Sequence, residues 1–217
     1  MSSMVYPSIK YGFEVGILAP GYRLPAASHV GLVRLAVSNL ERSIAFYTAV
    51  IGLTVFPPMD GQSSKVVRLG VQRGDDVLLE LEATPDVQPI GHRKKLGLYH
   101  TAFLLPTREA LSSFVQHLND NGVYFGSSDH LYSEALYLTD PDGLSVEVYA
   151  DRPRSQWMVE GNELVAAVNP LNLSKLPPVS KGSWGGAPSG TTIGHIHLYV
   201  GDLGDARSFI TTPWGWT

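Results

Sequence analysis

The stretch Leu136-Tyr137-Leu138-Thr139-Asp140-Pro141-Asp142-Gly143-Leu144-Ser145-Val146-Glu147-Val148-Tyr149 decides the reading of this chain. Its two ends, Ala135 to Leu138 and Ser145 to Tyr149, are short β-rich runs, and the Asp140-Pro141-Asp142-Gly143 turn between them joins neighbouring strands. In the second run Glu147 stands between Val146 and Val148. A carboxylate on a strand bound for a core is costly unless it is paired or metal-bound; a solvent face is the alternative placement.

Working outward, the segment before this hairpin predicts a strand over Leu98 to Leu105, a helix opening at Pro106-Thr107, and an apolar helix face of Leu111, Phe114, Val115 and Leu118. Asn121-Gly122 stops that helix, and Val123 to Gly126 is the next strand. The order is βαβββ. It is also the order of the preceding segment, at a period of about 68 residues. There a strand over Val30 to Val37 leads to a Ser38-Asn39 cap, and a helix presents Leu40, Ile44, Tyr47 and Ile51, with Glu41 and Arg42 pointing outward and Gly52 as its stop. Leu53 to Phe56, Lys65 to Val71 and Val77 to Glu82 follow as strands, separated by Pro57-Pro58, Asp60-Gly61 and Gly74-Asp75. A third start stands at His195 to Val200, with Gly201-Asp202-Leu203 as cap and helix opening. Residues 151 to 190 contain five prolines and read as a long connection with one short helix near Pro170. The chain therefore divides into an irregular arm (1–28), a first module (29–96), a second module (97–153), a linker (154–190) and the start of a third module (191–217), in an α+β fold.

Composition narrows the function. Sixteen basic against twenty acidic residues leave a net charge of -4, which gives no electrostatic footprint for nucleic acid or an anionic membrane. With no cysteine, disulfides, thiolate metal sites and thiol nucleophiles are excluded, so any metal site must be built from His, Asp and Glu. The first residues lack a basic n-region and an apolar core, and no run is long enough to span a bilayer, so a cytoplasmic enzyme or binding protein is expected.

The stretch Asn39 to Leu53 (NLERSIAFYTAVIGL) and the stretch Leu136 to Tyr149 resemble the two signature regions of the vicinal-oxygen-chelate superfamily, which unites glyoxalases, bleomycin-resistance proteins and extradiol dioxygenases. The resemblance covers Val30 to Tyr149. The motifs GLYH (97–100), SEALYLTDPDG (133–143), VEVYADRP (146–153) and IGHIHLYV (193–200) are most similar to the catechol 2,3-dioxygenase-like branch, whose members have four modules. The resemblance implies that paired modules form incomplete mixed-sheet barrels, with first and fourth strands presenting metal ligands. Carried over by register, the first-strand position is Leu32 in copy one, His100 in copy two and His195 in copy three. The fourth-strand position is Glu147, with Glu80 or Glu82 its counterpart in copy one.

If copies two and three pair, His100, His195 and Glu147 supply the two imidazoles and one carboxylate of a facial non-haem iron(II) site. If copies one and two pair, Leu32 occupies a ligand position and the set becomes His100, Glu147 and Glu80, with His29 a displaced substitute whose strand parity aims it away. The bland reading of His100 is a core histidine with a satisfied hydrogen bond. Tyr137, ten residues before Glu147, resembles the tyrosine that hydrogen-bonds the catecholate, and His130 resembles the histidine that acts as acid or base, at a spacing about two residues shorter; a loop histidine is the alternative. His92, His117 and His197 read as a loop residue, a helix-surface residue and an opposite-facing strand residue.

The resemblance implies an oxidoreductase of aromatic catabolism that binds iron(II), with Mn(II), Zn(II) or Ni(II) as alternatives, and that opens a catechol-like aromatic diol with dioxygen. A glyoxalase-type metal-dependent lyase or isomerase is the second reading, favoured if Glu80 is a ligand. A metal-free, resistance-type binding protein is the third, favoured by Leu32. The ending Ala206 to Thr217 starts as a helix and then runs Thr-Thr-Pro-Trp-Gly-Trp, which reads as C-terminal truncation. A half-built third module is expected to expose apolar faces, and pairing of modules between chains offers a route to a homo-oligomer.

Overall fold

A computed structural model describes residues 25, 27–59, 61, 63–71, 76–90, 96–161 and 163–214. The Asp60-Gly61 and Gly74-Asp75 turns, His92 and most of the N-terminal arm fall partly or wholly outside them. Two mixed sheets share one apolar core. The first sheet is β1 (Val33–Val37), β4 (Val77–Ala83), β3 (Val66–Gly70) and β2 (Thr54–Val55) in that spatial order, with β1 parallel to β4. The second is β11 (Thr192–Tyr199), β5 (Gly97–Leu104), β8 (Ser145–Asp151), β7 (Ser133–Thr139) and β6 (Gly126–Asp129). There β5 runs parallel to β8, and β11 antiparallel to β5. Two two-residue strands, β9 (Val159–Glu160) and β10 (Glu163–Leu164), form a separate ribbon.

Helix α1 (Leu40–Ala49) begins where Asn39 accepts a hydrogen bond from the Arg42 amide at 2.9 Å. It buries Tyr47 completely and turns Ser43 inward as well. Gly52 follows at φ +83°, and its carbonyl accepts from the Ala187 amide at 2.8 Å. A Cβ at Gly52 would stand 2.9 Å from the Gly186 Cα, so glycine is required both for the turn and for this close approach. Helix α2 (Arg108–Asp120) is capped by Thr107, buries Leu111, Phe114, Val115 and Leu118, and ends before Gly122 at φ +64°. Both helices pack their apolar faces with Leu35, Leu79, Leu81, Phe103, Val146 and Val148 in the common core.

Two elements differ from the sequence expectation. The strand expected over Val123 to Gly126 lies later, at Gly126–Asp129, because the Val123 amide is still engaged by the Leu118 carbonyl at the end of α2. The long connection after β8 is fastened to the second module. Its Asn169 bridges Asp129, its Pro177 carbonyl accepts from Ser112 Oγ at 2.6 Å, and Trp184 packs 4.9 Å from Phe114. Its short helices are single 3-10 turns at Arg154–Gln156 and Leu173–Lys175. Finally, α3 (Leu203–Trp214) continues as helix through Thr211, Thr212 and Pro213.

A buried latch joins the first module's helix to the turn that launches β8. Asp142 accepts from the Ser38 amide at 2.7 Å, from Ser38 Oγ at 2.5 Å and from Arg42 Nη2 at 2.6 Å. The Tyr47 hydroxyl donates to Asp140 at 3.1 Å, while Asp140 also accepts from the amides of Asp142 and Leu144. Burial alone would raise the Asp142 carboxyl, but these donors hold it below the usual aspartate range. Asp140, paired only with neutral donors, is pushed up by burial, and burial likewise pushes up the Tyr47 hydroxyl. No helix among the described residues is long and apolar enough to cross a membrane.

Candidate metal centre

Alternation along β8 sends Val146, Val148 and Ala150 into the core under α2 and turns Glu147 and Tyr149 to the other face. On β5, paired with it through Ala102 and Glu147, Phe103 points into the core while His100 and Ala102 share the face of Glu147. The third contributor is β11. Its register with β5 shifts at Gly194: Ile193 faces Phe103 and is buried in the core, yet His195, two residues on, faces Ala102 on the opposite side. One extra residue makes a β-bulge, and the bulge reverses the parity that would otherwise have buried His195 beside Ile193. Only glycine fits there, because a Cβ would overlap the Tyr149 hydroxyl and stand 2.9 Å from the Leu104 Cβ.

These three strands bring His100, Glu147 and His195 together. Nε2 of His100 lies 3.0 Å from Glu147 Oε2, Nε2 of His195 lies 3.3 Å from the same oxygen, and the two nitrogens are 3.1 Å apart. Three atoms held at neighbouring octahedral corners of one ion, at bonds of about 2.1 Å, stand about 3.0 Å apart. The donor set therefore fits a divalent cation of the borderline type that accepts imidazole and carboxylate together. His100 and Glu147 are buried, and His195 keeps slight exposure. Burial opposes the charge on Glu147, but hydrogen bonding from His100 and His195 outweighs it and holds the carboxyl down at about 2. The His100 Nδ1 has no hydrogen-bond partner among the described residues, so its ring is oriented by the contacts of Nε2 and by packing against Tyr99, His195 and His197.

His130 and Tyr137 stand beside this cluster. The Tyr137 hydroxyl is 2.8 Å from His130 Nε2, and the Tyr137 ring centre is 6.1 Å from that of His100. His130 Nδ1 lies 2.7 Å from the Ala167 carbonyl. Since a carbonyl only accepts, Nδ1 carries the proton, and in the neutral ring Nε2 accepts from Tyr137. Burial pushes the Tyr137 hydroxyl far above the usual tyrosine range, and the charge of Glu147 adds to it.

The remaining candidates lie elsewhere. Glu80 belongs to the first sheet, where Arg34, its parallel-strand neighbour, engages it at 2.6 Å; Glu82 is 3.8 Å from the same guanidinium. Leu32 is 46% exposed just before β1, and His29 is exposed with its Nδ1 against the Ala27 carbonyl. His117 meets the Ala49 carbonyl and stacks near Trp184. His197 corrects the sequence reading. It pairs with His100 as His195 pairs with Ala102, with no shift between, so it shares the site face, and its ring centre is 4.9 Å from that of His100. Residues two apart on a regular strand always share a face, which was the signal available. Tyr99 was also missed. It is the extra residue of a second irregularity, opposite His197–Leu198, and its ring lies 5.0 Å from both His100 and His197.

Known proteins are similar in the same regions. A sequence profile described as the Glyoxalase/Bleomycin resistance protein/Dioxygenase superfamily matches residues 28–148. A catechol-2,3-dioxygenase of Bacillus subtilis is 40% identical over 190 residues, which is 87% of this chain and 65% of that protein. The chain thus spans just under two thirds of that relative's length. A glyoxalase/dioxygenase of known structure from Nostoc punctiforme superposes with a TM-score of 0.50 at 20% identity, over 62% of this chain and 99% of the other. A glyoxylase/bleomycin resistance protein/dioxygenase domain from Frankia sp. EAN1pec covers 58% of this chain and 98% of its own, with a TM-score of 0.46 and 20% identity.

Proposed function

The chain belongs to the Glyoxalase/Bleomycin resistance protein/Dioxygenase superfamily, and we propose that it is an iron(II)-dependent extradiol dioxygenase that opens the ring of catechol-like aromatic diols with dioxygen. The observation that carries this reading is the convergence of two imidazole nitrogens and one carboxylate oxygen within 3.3 Å of one another on a single sheet face. Three protein ligands on one side leave open positions for two further reactants. When bound, iron(II) supplies chelation of the diol, a position for dioxygen and a path for electrons between them.

The chain's own residues do the rest. Glu147, held near 2, remains a carboxylate through the physiological range and can serve as the anionic ligand without competing for protons. Tyr137 stays protonated, and on diol binding its hydroxyl would turn from His130 Nε2 to donate to a diol oxygen. His130 keeps its proton on Nδ1 against Ala167, so the Nε2 that Tyr137 releases would become the acceptor for a proton leaving the diol. Tyr149, Ala102 and Ala135 give the aromatic ring an apolar floor.

The glyoxalase-type reading would prefer a second carboxylate, and Glu80, which would have favoured it, pairs with Arg34 in the other sheet. The metal-free reading leaned on Leu32 at a ligand position, and Leu32 is an exposed residue just before β1 of the first sheet. Oxygen uptake with catechol after anaerobic iron(II) loading tests the proposal. His100→Ala should lose both bound iron and uptake; stoichiometric iron without uptake in the unaltered chain refutes ring cleavage.

A further inference from the structure

Asp151 is a carboxylate that the proposed chemistry does not use. It ends β8 on the face of Glu147 and Tyr149, opposite Ser133 of β7, roughly 13 Å along the strand from Glu147 at about 3.3 Å per residue. It is half-buried and forms no ion pair within 4.0 Å among the described residues. Burial pushes its carboxyl up to about 6, with Arg154 and His195 pulling it back.

An aromatic wall leads toward it from the metal ligands. Tyr132, the residue before Ser133, stacks on His130 with ring centres 6.3 Å apart and lies 5.6 Å from the ring of Trp157. The Tyr132 hydroxyl is pushed up by burial and by the charges of both Glu147 and Asp151, which places all three in one electrostatic neighbourhood. The cation at this end is Arg154, exposed and stacked 3.9 Å from the Trp157 ring centre.

We propose that Asp151 is a specificity-determining residue that selects diols by the charge of their ring substituent: uncharged and ammonium-bearing aromatic diols are admitted, carboxylate-bearing ones are excluded. The inference rests on the diol-binding reading of the site. A diol oriented from His100, Glu147 and His195 along β8 carries its substituent past Tyr149 to this carboxylate. There a second negative charge is repelled in a partly desolvated setting, while an ammonium gains the carboxylate and the aromatic faces together.

The test is anaerobic binding to the iron(II)-loaded protein, read by intrinsic fluorescence, of catechol, 3,4-dihydroxybenzoate and 2-(3,4-dihydroxyphenyl)ethylamine. The unaltered chain should bind the benzoate at least tenfold more weakly than the amine. Asp151→Asn, which keeps the shape and removes the charge, should shrink that ratio below threefold with an unchanged melting temperature. An unchanged ratio in the variant overturns the proposal. So does a preference for the benzoate that Arg154→Gln abolishes, which would assign the mouth to the arginine. Since binding is read without oxygen, a protein that discriminates among the diols but never consumes oxygen refutes ring cleavage and upholds the selectivity; failure to bind any diol overturns both.

Discussion

Replacing Gly194 by alanine isolates the bulge that aims His195. The backbone there is not in the left-handed region, so the obstacle is space alone. The new Cβ would overlap the Tyr149 hydroxyl and lie 2.7 Å from Tyr149 Cζ and 2.9 Å from Leu104 Cβ. Carbon atoms in good contact stand about 3.5–4.0 Å apart, so β11 or the Tyr149 ring must move by about 1 Å. Overpacking of this kind costs about 1–3 kcal/mol, which for a chain of this size lowers the melting temperature by roughly 2–12 °C. The larger effect falls on the metal centre. His195 Nε2 is positioned 3.1 Å from His100 Nε2, and a metal site tolerates errors of only about 0.2 Å in its ligands. Iron(II) affinity should therefore fall about tenfold to a hundredfold, measured by competition with a chelator of known affinity. Adding Tyr149→Phe removes the overlapping oxygen and should recover part of that loss. Unchanged iron affinity and an unchanged melting temperature in Gly194→Ala would refute the reasoning, because they would mean that β11 is not seated against Tyr149 in the folded protein.

Tyr137→Phe should keep the iron content and lower the turnover of catechol about tenfold or more, since it removes one oriented donor and leaves the ligands in place. Because Tyr137 is held protonated, the variant should lower the plateau of the pH–rate profile without moving its alkaline limb; a displaced limb would assign the titration to Tyr137. Asp142→Asn should destabilise the chain by about 1–3 kcal/mol by unmaking the partly exposed ion pair with Arg42 and weakening two bonds from Ser38. The sign with pH follows from the depressed carboxyl: its stabilisation is present above the unfolded value, near 4, and is lost as pH falls through the lower folded value. Denaturant midpoints of wild type and variant should accordingly converge in acid, and a constant gap down to pH 3 would contradict the latch.

Much of this protein is local chemistry and was legible in its residues. Helix α1 starts at Asn39 because a side-chain oxygen there satisfies the Arg42 amide, and α2 starts at Thr107 for the same reason. Periods of 3.6 and 2 separate Phe114 and Val148, which enter the core, from Glu147, which does not. The order strand, helix, three strands, met twice, was enough for the α+β class, while singling out His100 and Glu147 took the register of the family that the chain resembles. The tertiary structure decided what those residues meet. Which strand adds to the edge of β5 is a choice between segments about 95 residues away in β11 and about 67 away in β1, and periodicity is silent on such pairings; the fold takes β11. The bulge at Gly194 inserts one residue into a pattern of two and so changes the face of everything after it, a shift that only the partner strand reveals. Glu80 and Glu147 sit in similar strands, yet one meets an arginine and the other two histidines, because a side chain's alternation is set by its own strand while its neighbours are set by the strand beside it.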